Sequence, residues 1–307
     1  MSKIAFVFPG QGAQAVGMGK DAYETSPAAK EIFDRADAAL GFPLSKTIFE
    51  GPEEELRQTA LTQPALLTTS VALWEVYKAQ GVKPDYVAGH SLGEYSALVA
   101  AGVLGFEDAV RLVRARGLFM EQAVPGGQGA MAAVLGAERE PLEALCRDVS
   151  ANAGLVELAN VNCPGQIVVS GTAAGVAAVG ERGKEAGAKR VIPLEVSGPF
   201  HSSLMQPAAD RLSGELAKAE FRDAEVPVVA NVHAQPVTDG AAIRELLVKQ
   251  VVSPVLWEET VRYLVGQSVD TFVEIGSGTV LAGLIRKIDK TVQVVSVNTA
   301  AAALGQA

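Results

Sequence analysis

The stretch YVAGHSLGEYSALVAAG, residues 86 to 102, sets Ser91 between Gly89 and Gly93. An apolar run precedes it and small-residue helical sequence follows. G-x-S-x-G between a strand and a helix makes a sharp, strained turn that presents a serine hydroxyl as a nucleophile. The flanking glycines supply the lack of bulk that such a turn needs. A serine placed there also lies at a helix N-terminus, where free N–H groups and the macrodipole favour a developing oxyanion, with the Leu92 amide as the nearest donor. The plainer alternative is a serine that caps a helix after a glycine turn.

A nucleophilic serine needs a base, and the chain has three histidines. His90 lies in the turn itself, and its side chain is expected to leave on the side away from Ser91. His233 follows the apolar run VPVVANV beside a turn, where a solvated histidine is unremarkable. His201 follows SGPF, beyond the run VIPLEV, at the end of an expected parallel strand, which is where α/β sheets place their sites. Position therefore favours His201 over His233.

Arg116 is the third residue with chemistry in it. In FEDAVRLVRARGLFMEQAV its helical neighbours three and four residues away are Leu112, Val113, Phe119 and Met120, all apolar. Arg111, with Glu107 and Asp108 behind it, is an ordinary solvated charge. A cation on the core-facing stripe must meet a carboxylate or face a cavity that a ligand fills. Its planar fork suits a carboxylate held by two parallel bonds. An internal salt bridge or a snorkelling side chain is the structural alternative.

The elements that must position these residues alternate. A strand over 4–8 leads into the glycine-rich PGQGAQAVGMG, and helical patterns follow at 26–40 and about 63–80. The run DYVAGHS is a second buried strand, followed by helices at about 92–101 and 107–123. This order predicts a parallel sheet covered on both faces. The first loop matches the G-x-G-x-x-A dinucleotide pattern through Gly10, Gly12 and Ala15, but a long amphipathic helix stands where that fold needs its next strand. The other reading has the loop bring a backbone N–H, that of Gln11, beside Ser91 as a second oxyanion donor.

After PGGQG the rhythm changes to strand, helix, strand, strand, helix, strand. Such a βαββαβ order is the ferredoxin-like unit. The expected fold class is thus α/β: an α/β-hydrolase-like parallel-sheet large domain, 1–125 and 197–307, with an inserted ferredoxin-like small domain, 126–196. The large domain resumes with a helix at about 205–219, the strand VPVVANV, helices at 241–251 and 257–266, the strand TFVEIG, a helix at 278–287 and the strand VQVVSVN. The tail TAAAALGQA is expected to fray.

Composition narrows the classes. The chain has 307 residues, half of them apolar, and no uninterrupted apolar run near the roughly 18–20 that a bilayer crossing needs. With no secretory pattern at MSKIAFVF, a cytoplasmic protein is expected. Cys146 and Cys163 have no metal-like spacing and read as small buried hydrophobes. A net charge of −9 argues against nucleic acid and anionic membranes as partners. No metal or cofactor is expected.

Together, FPGQGAQAVGMG, LTQPALLTTSVAL, GHSLGEYSALVAAG, RARGLFM, NVNCPGQIVVSG, VSGPFHSSLM and KQVVSPVLW closely resemble the malonyl-CoA:acyl carrier protein transacylases of bacterial fatty acid synthesis. The likeness runs from residue 3 to about 299, in the family's order. It implies Ser91 as the acylated nucleophile and His201 as its base, with the backbone carbonyl of Gln250 orienting the imidazole in place of a carboxylate. Gln11 and Leu92 correspond to the oxyanion-hole amides and Arg116 to the group that grips the malonyl carboxylate. Asn160 and Asn162 fall on the small-domain side of the cleft, and Phe200 fills the place an α-methyl branch would need. The implied partners are malonyl-CoA and acyl carrier protein, and the chain is expected to be a monomer. By their position beside the insert's last strand alone, Lys189 and Arg190 are the candidate basic patch for the carrier. A serine esterase, an acyltransferase of a polyketide pathway and a noncatalytic carrier-binding scaffold are the competing readings; the first predicts an HGGG loop that this sequence lacks.

Overall fold

The computed structural model describes residues 2–306. Its larger sheet has six strands, β1 (Lys3–Phe8), β2 (Tyr86–Gly89), β7 (Val228–Val229), β8 (Pro236–Val237), β10 (Val269–Ile275) and β11 (Gln293–Val297). The second has five, β3 (Gly129–Leu135), β4 (Val156–Cys163), β5 (Gln166–Thr172), β6 (Arg190–Pro193) and β9 (Val255–Leu256). In the larger sheet the order is β11-β10-β1-β2-β7-β8, parallel throughout except for the β7/β8 pair. Its middle strands are buried on both faces: Phe6 and Phe8 pack into one apolar cluster, Ala5 and Val7 into another on the opposite side.

The second sheet runs β6-β3-β5-β4-β9. Its first four strands are antiparallel, with helices Arg139–Asn152 and Ala173–Arg182 packing Leu142, Leu145, Val149, Val176 and Val179 against them. The fifth was not foreseen. Strand β9 comes from the sequence after the helix Gly240–Gln250 and pairs in parallel with β4, Asn160 opposite Val255 and Val161 opposite Leu256.

Three expectations are corrected. Strand β6, antiparallel to β3 rather than part of the parallel sheet, ends at Pro193; the Leu194 N–H still donates to Met131 O at 3.0 Å, and from there the chain leaves the sheet so that Leu194 and Val196 reach the central cavity. Strand β7 is two residues rather than seven, because Ala230 and Asn231 turn into the site and Ala234, at φ 53°, reverses the chain into β8. The tail does not fray over its described part. Thr299 caps a short helix, Ala300–Ala303, the Ala300 N–H donates to Asp21 Oδ2 at 2.6 Å, and Ala303 is fully buried. Among the described residues no helix is long and apolar enough to cross a membrane.

Candidate active site

Ser91 stands at the junction of β2 and the helix Leu92–Ala100, at φ 53° and ψ −109°. A non-glycine residue held there is strained, and strain of this kind gathers at functional sites. Its hydroxyl caps nothing, so the plain helix-cap role is not the one it plays. The turn is possible because of its glycines. A Cβ at Gly93 would fall inside van der Waals contact of the Phe8 carbonyl oxygen, and one at Gly89 would strike the Gly93 backbone.

His201, 4 % exposed, also has positive φ, 56°. Its Nε2 lies 2.7 Å from Ser91 Oγ. On the other side, Nδ1 faces two carbonyls, Gln250 O at 2.9 Å and Ser253 O at 3.2 Å. Carbonyls only accept, so Nδ1 carries the proton and Nε2 is left to accept from the serine. Burial, reinforced by the charge of Arg116, pushes the imidazole down to about 3 against the opposing effect of the Gln250 carbonyl. The resting ring is therefore neutral near pH 7.

Arg116, 1 % exposed, projects from the helix Phe106–Gln122 into the same space. Nη2 donates to Ser91 Oγ at 3.1 Å and Gln250 Oε1 at 2.9 Å, and Nη1 to Gln63 Oε1 at 2.8 Å. The Tyr95 ring lies 5.6 Å from its guanidinium carbon. Among the described residues no carboxylate comes within ion-pair distance, so the salt-bridge alternative for this buried cation is not what the structure has.

Ser91, His201 and Arg116 line a cavity of about 120 Å³ together with Gln11, Leu92, Asn160, Phe200, Met120, Met131 and Leu194. The Ser91 N–H is already taken by Asn231 Oδ1 at 2.7 Å. The Leu92 amide, first in its helix, has no intrahelical acceptor. The side chain of Gln11 is held by Thr59 Oγ1 at 3.1 Å, with the loop folded beside the turn. Asn162 binds His90 Nε2 through Oδ1 at 2.8 Å, and the His90 ring packs 5.7 Å from Trp257 while still bordering the cavity, so it does not turn wholly away from Ser91 as expected. His233 is exposed, its Nδ1 accepts the Gln235 N–H at 3.1 Å, and it is not among the residues lining the cavity. Lys189 and Arg190 are exposed at the start of β6, outside the cavity. Cys146 and Cys163 are buried thiols.

Beneath the cavity lies a polar network that sequence reasoning missed. Glu94, 2 % exposed, accepts from Gln250 Nε2 at 2.8 Å and the Asn231 N–H at 3.2 Å. Asn231 Nδ2 donates to Gly89 O at 2.6 Å. Burial pushes the Glu94 carboxyl up to about 7, opposed by the Asn231 and Gln250 donors and the charge of Arg116. Glu94 carried a signal, an acid among Leu98, Ala97 and other apolar neighbours on its helix, the same kind that exposed Arg116. Asn231 and Gln63 carried none.

Residues 5–306 match the acyl transferase domain family. The malonyl CoA-acyl carrier protein transacylase of Bacillus subtilis strain 168 is 56% identical over 298 residues, covering 97% of this chain and 94% of that protein. The chain belongs to this transacylase family. Among solved members, the acyl carrier protein S-malonyltransferase of Vibrio cholerae is 47% identical with a TM-score of 0.94, covering 97% of each chain. A malonyl-transacylase in complex with its type II PKS acyl-carrier protein is 44% identical with a TM-score of 0.96, covering 99% of each chain. The two-domain α/β fold is thus that of the transacylases.

Proposed function

We propose that this chain transfers the malonyl group from malonyl-CoA to the phosphopantetheine thiol of acyl carrier protein, through an ester on Ser91, to supply fatty acid synthesis. The observation that carries the reading is a buried, carboxylate-free arginine donating to the same serine oxygen that faces a neutral imidazole. His201 Nε2 takes the Ser91 proton as Oγ attacks the thioester carbonyl. The Leu92 and Gln11 amides hold the oxyanion. Collapse breaks the C–S bond, and the CoA thiolate leaves with the proton from His201. Arg116 exchanges its bond to Ser91 Oγ for the malonyl carboxylate, charge meeting charge in a dry pocket. The carrier's thiol then gives its proton to His201, attacks the ester and restores Ser91.

Asn160 borders the acyl chamber in this reading, Asn162 supports it through His90, and Phe200 fills the side where an α-methyl branch would sit. The active unit is a cytoplasmic monomer divided into 1–125 with 197–307 and an insert, 126–196, and the Lys189–Arg190 patch faces the acidic carrier. A carrier protein of a polyketide assembly is the second reading, favoured by the similarity to a PKS-associated transacylase; relative rates with the two kinds of carrier separate them. Intact mass after mixing with malonyl-CoA tests the chemistry. A gain of one malonyl group, lost in Ser91→Ala, is expected, and an unmodified wild-type chain refutes the reading.

A further inference from the structure

Gln250 gives the site more than its backbone carbonyl. Its side-chain Nε2 donates to Glu94 Oε2 at 2.8 Å and Ser91 O at 3.0 Å, and lies 3.3 Å from Asn231 Oδ1. Its Oε1 accepts from Arg116 Nη2 at 2.9 Å. A primary amide has two nearly isosteric faces, so its neighbours decide which way it points. Arg116 only donates, so the amide oxygen must face it, and Glu94 Oε2, which also takes the Asn231 N–H, accepts on the other side. Reversed, the amide would put its NH2 against a guanidinium and its oxygen against Glu94, two repulsive contacts in a space with little water to screen them.

Asn231 Oδ1 is already engaged by the Ser91 N–H, which leaves Glu94 Oε2 as the shortest acceptor for that NH2, ahead of Ser91 O at 3.0 Å. We propose that Glu94 is a positioning residue for the acyl-binding arginine: it fixes the Gln250 amide so that Oε1 faces Arg116 and holds the guanidinium beside Ser91. Glu94 touches no reacting atom and acts through Gln250. The inference rests on Arg116 as the grip for the malonyl carboxylate. Loss of Glu94 as an acceptor must therefore fall on malonyl transfer more heavily than on acetyl transfer, whereas general damage to the turn lowers both alike.

The test measures malonyl and acetyl transfer by wild type, Glu94→Leu, Glu94→Gln, Gln250→Met and the Glu94→Leu/Gln250→Met pair. Glu94→Leu and Gln250→Met each raise KM for malonyl-CoA and cut the malonyl-to-acetyl preference by about tenfold, the size of one charge-assisted hydrogen bond. Glu94→Gln keeps an oxygen acceptor and holds the preference within about threefold. The double variant is no worse than the single ones, because both break one chain of contacts. Equal losses of malonyl and acetyl transfer, Glu94→Gln behaving as Glu94→Leu, or additive losses overturn the proposal. Should Glu94→Leu not fold, Gln250→Met decides, and an unchanged preference overturns it. A wild type that forms no malonyl ester refutes the proposed function instead; the role of Glu94 is then read from a crystal structure of Glu94→Leu, where Arg116 still donating to Gln250 Oε1 overturns it.

Discussion

Replacing Arg116 with Met keeps most of the side-chain volume and removes the fork. In the resting site the guanidinium already spends two bonds on Gln63 and Gln250 and one on Ser91 Oγ. A bound malonyl carboxylate therefore gains the Ser91 bond in exchange plus direct charge neutralisation, not two new bonds from nothing. Charge-assisted hydrogen bonds are worth about 1.5–3 kcal/mol each, so the net malonyl-specific stabilisation is about 2–4 kcal/mol. That corresponds to a fall of about 30- to 1,000-fold in kcat/KM for malonyl-CoA relative to acetyl-CoA. Single-turnover acylation of Ser91 by the two donors, followed by intact mass, reads the ratio directly. Equal losses for both donors refute the assignment, because a fork that only props up Ser91 cannot distinguish an acyl group with a carboxylate from one without.

Other consequences follow from the same geometry. His201→Ala lowers malonyl transfer by about 10²- to 10⁴-fold, measured by the same assay; a tenth of wild-type rate would exclude it as the base. The acid limb of acylation lies well below 6.5, the ordinary histidine value, because the folded imidazole titrates near 3, and a limb at 6.5 in a pH–rate profile contradicts the burial argument. Gly93→Ala, whose Cβ meets the Phe8 carbonyl, destabilises by about 1–3 kcal/mol or more and abolishes acylation, as thermal unfolding and mass would show. Glu274, fully buried, accepts the Leu281 and Ala282 N–H groups at 3.0 and 2.8 Å, and burial raises it from 4.5 to about 7. A raised carboxyl binds its proton more readily folded than unfolded, so its contribution is present below 4.5 and is lost as pH rises through 7. Glu274→Gln removes that decline and costs about 1–3 kcal/mol in denaturant titration; an unchanged pH dependence of stability refutes the attribution.

What the sequence disclosed was what local patterning can encode. Gly89, Ser91 and Gly93 form one turn within five residues, and Arg116 betrays itself through four apolar neighbours on its own helix. His201 was picked as the residue beyond the end of a parallel strand, yet the strand before it is antiparallel, belongs to the smaller sheet and stops at Pro193, so the position pointed to the right neighbourhood for the wrong reason. Gln250 reached the site only through family likeness, since nothing local marks a carbonyl as the partner of an imidazole 49 residues earlier. Asn231 shows the limit most plainly: a strand-like run was expected through it, yet its side chain turns to hold the Ser91 N–H and Gly89 carbonyl. Such a role exists only once β2 and β7 are side by side. Likewise β9, two residues long, pairs with a strand nearly a hundred residues upstream, a contact with no periodicity to announce it.

That short strand ties the inserted sheet to the chemistry. The backbone leaves Gln250 and Ser253, whose carbonyls hold the imidazole, and enters the β4 edge two residues later, while the Leu256 N–H donates to Asn231 O at 3.1 Å. From β4 itself, Glu157 accepts the Ser203 N–H just beyond His201, and Asn162 anchors His90 beside Ser91. Cutting out the smaller sheet would therefore also remove the edge on which the Gln250–Ser253 loop, the Ser203 amide and the His90 ring lean, and Ser91 and His201 would lose the support on that side.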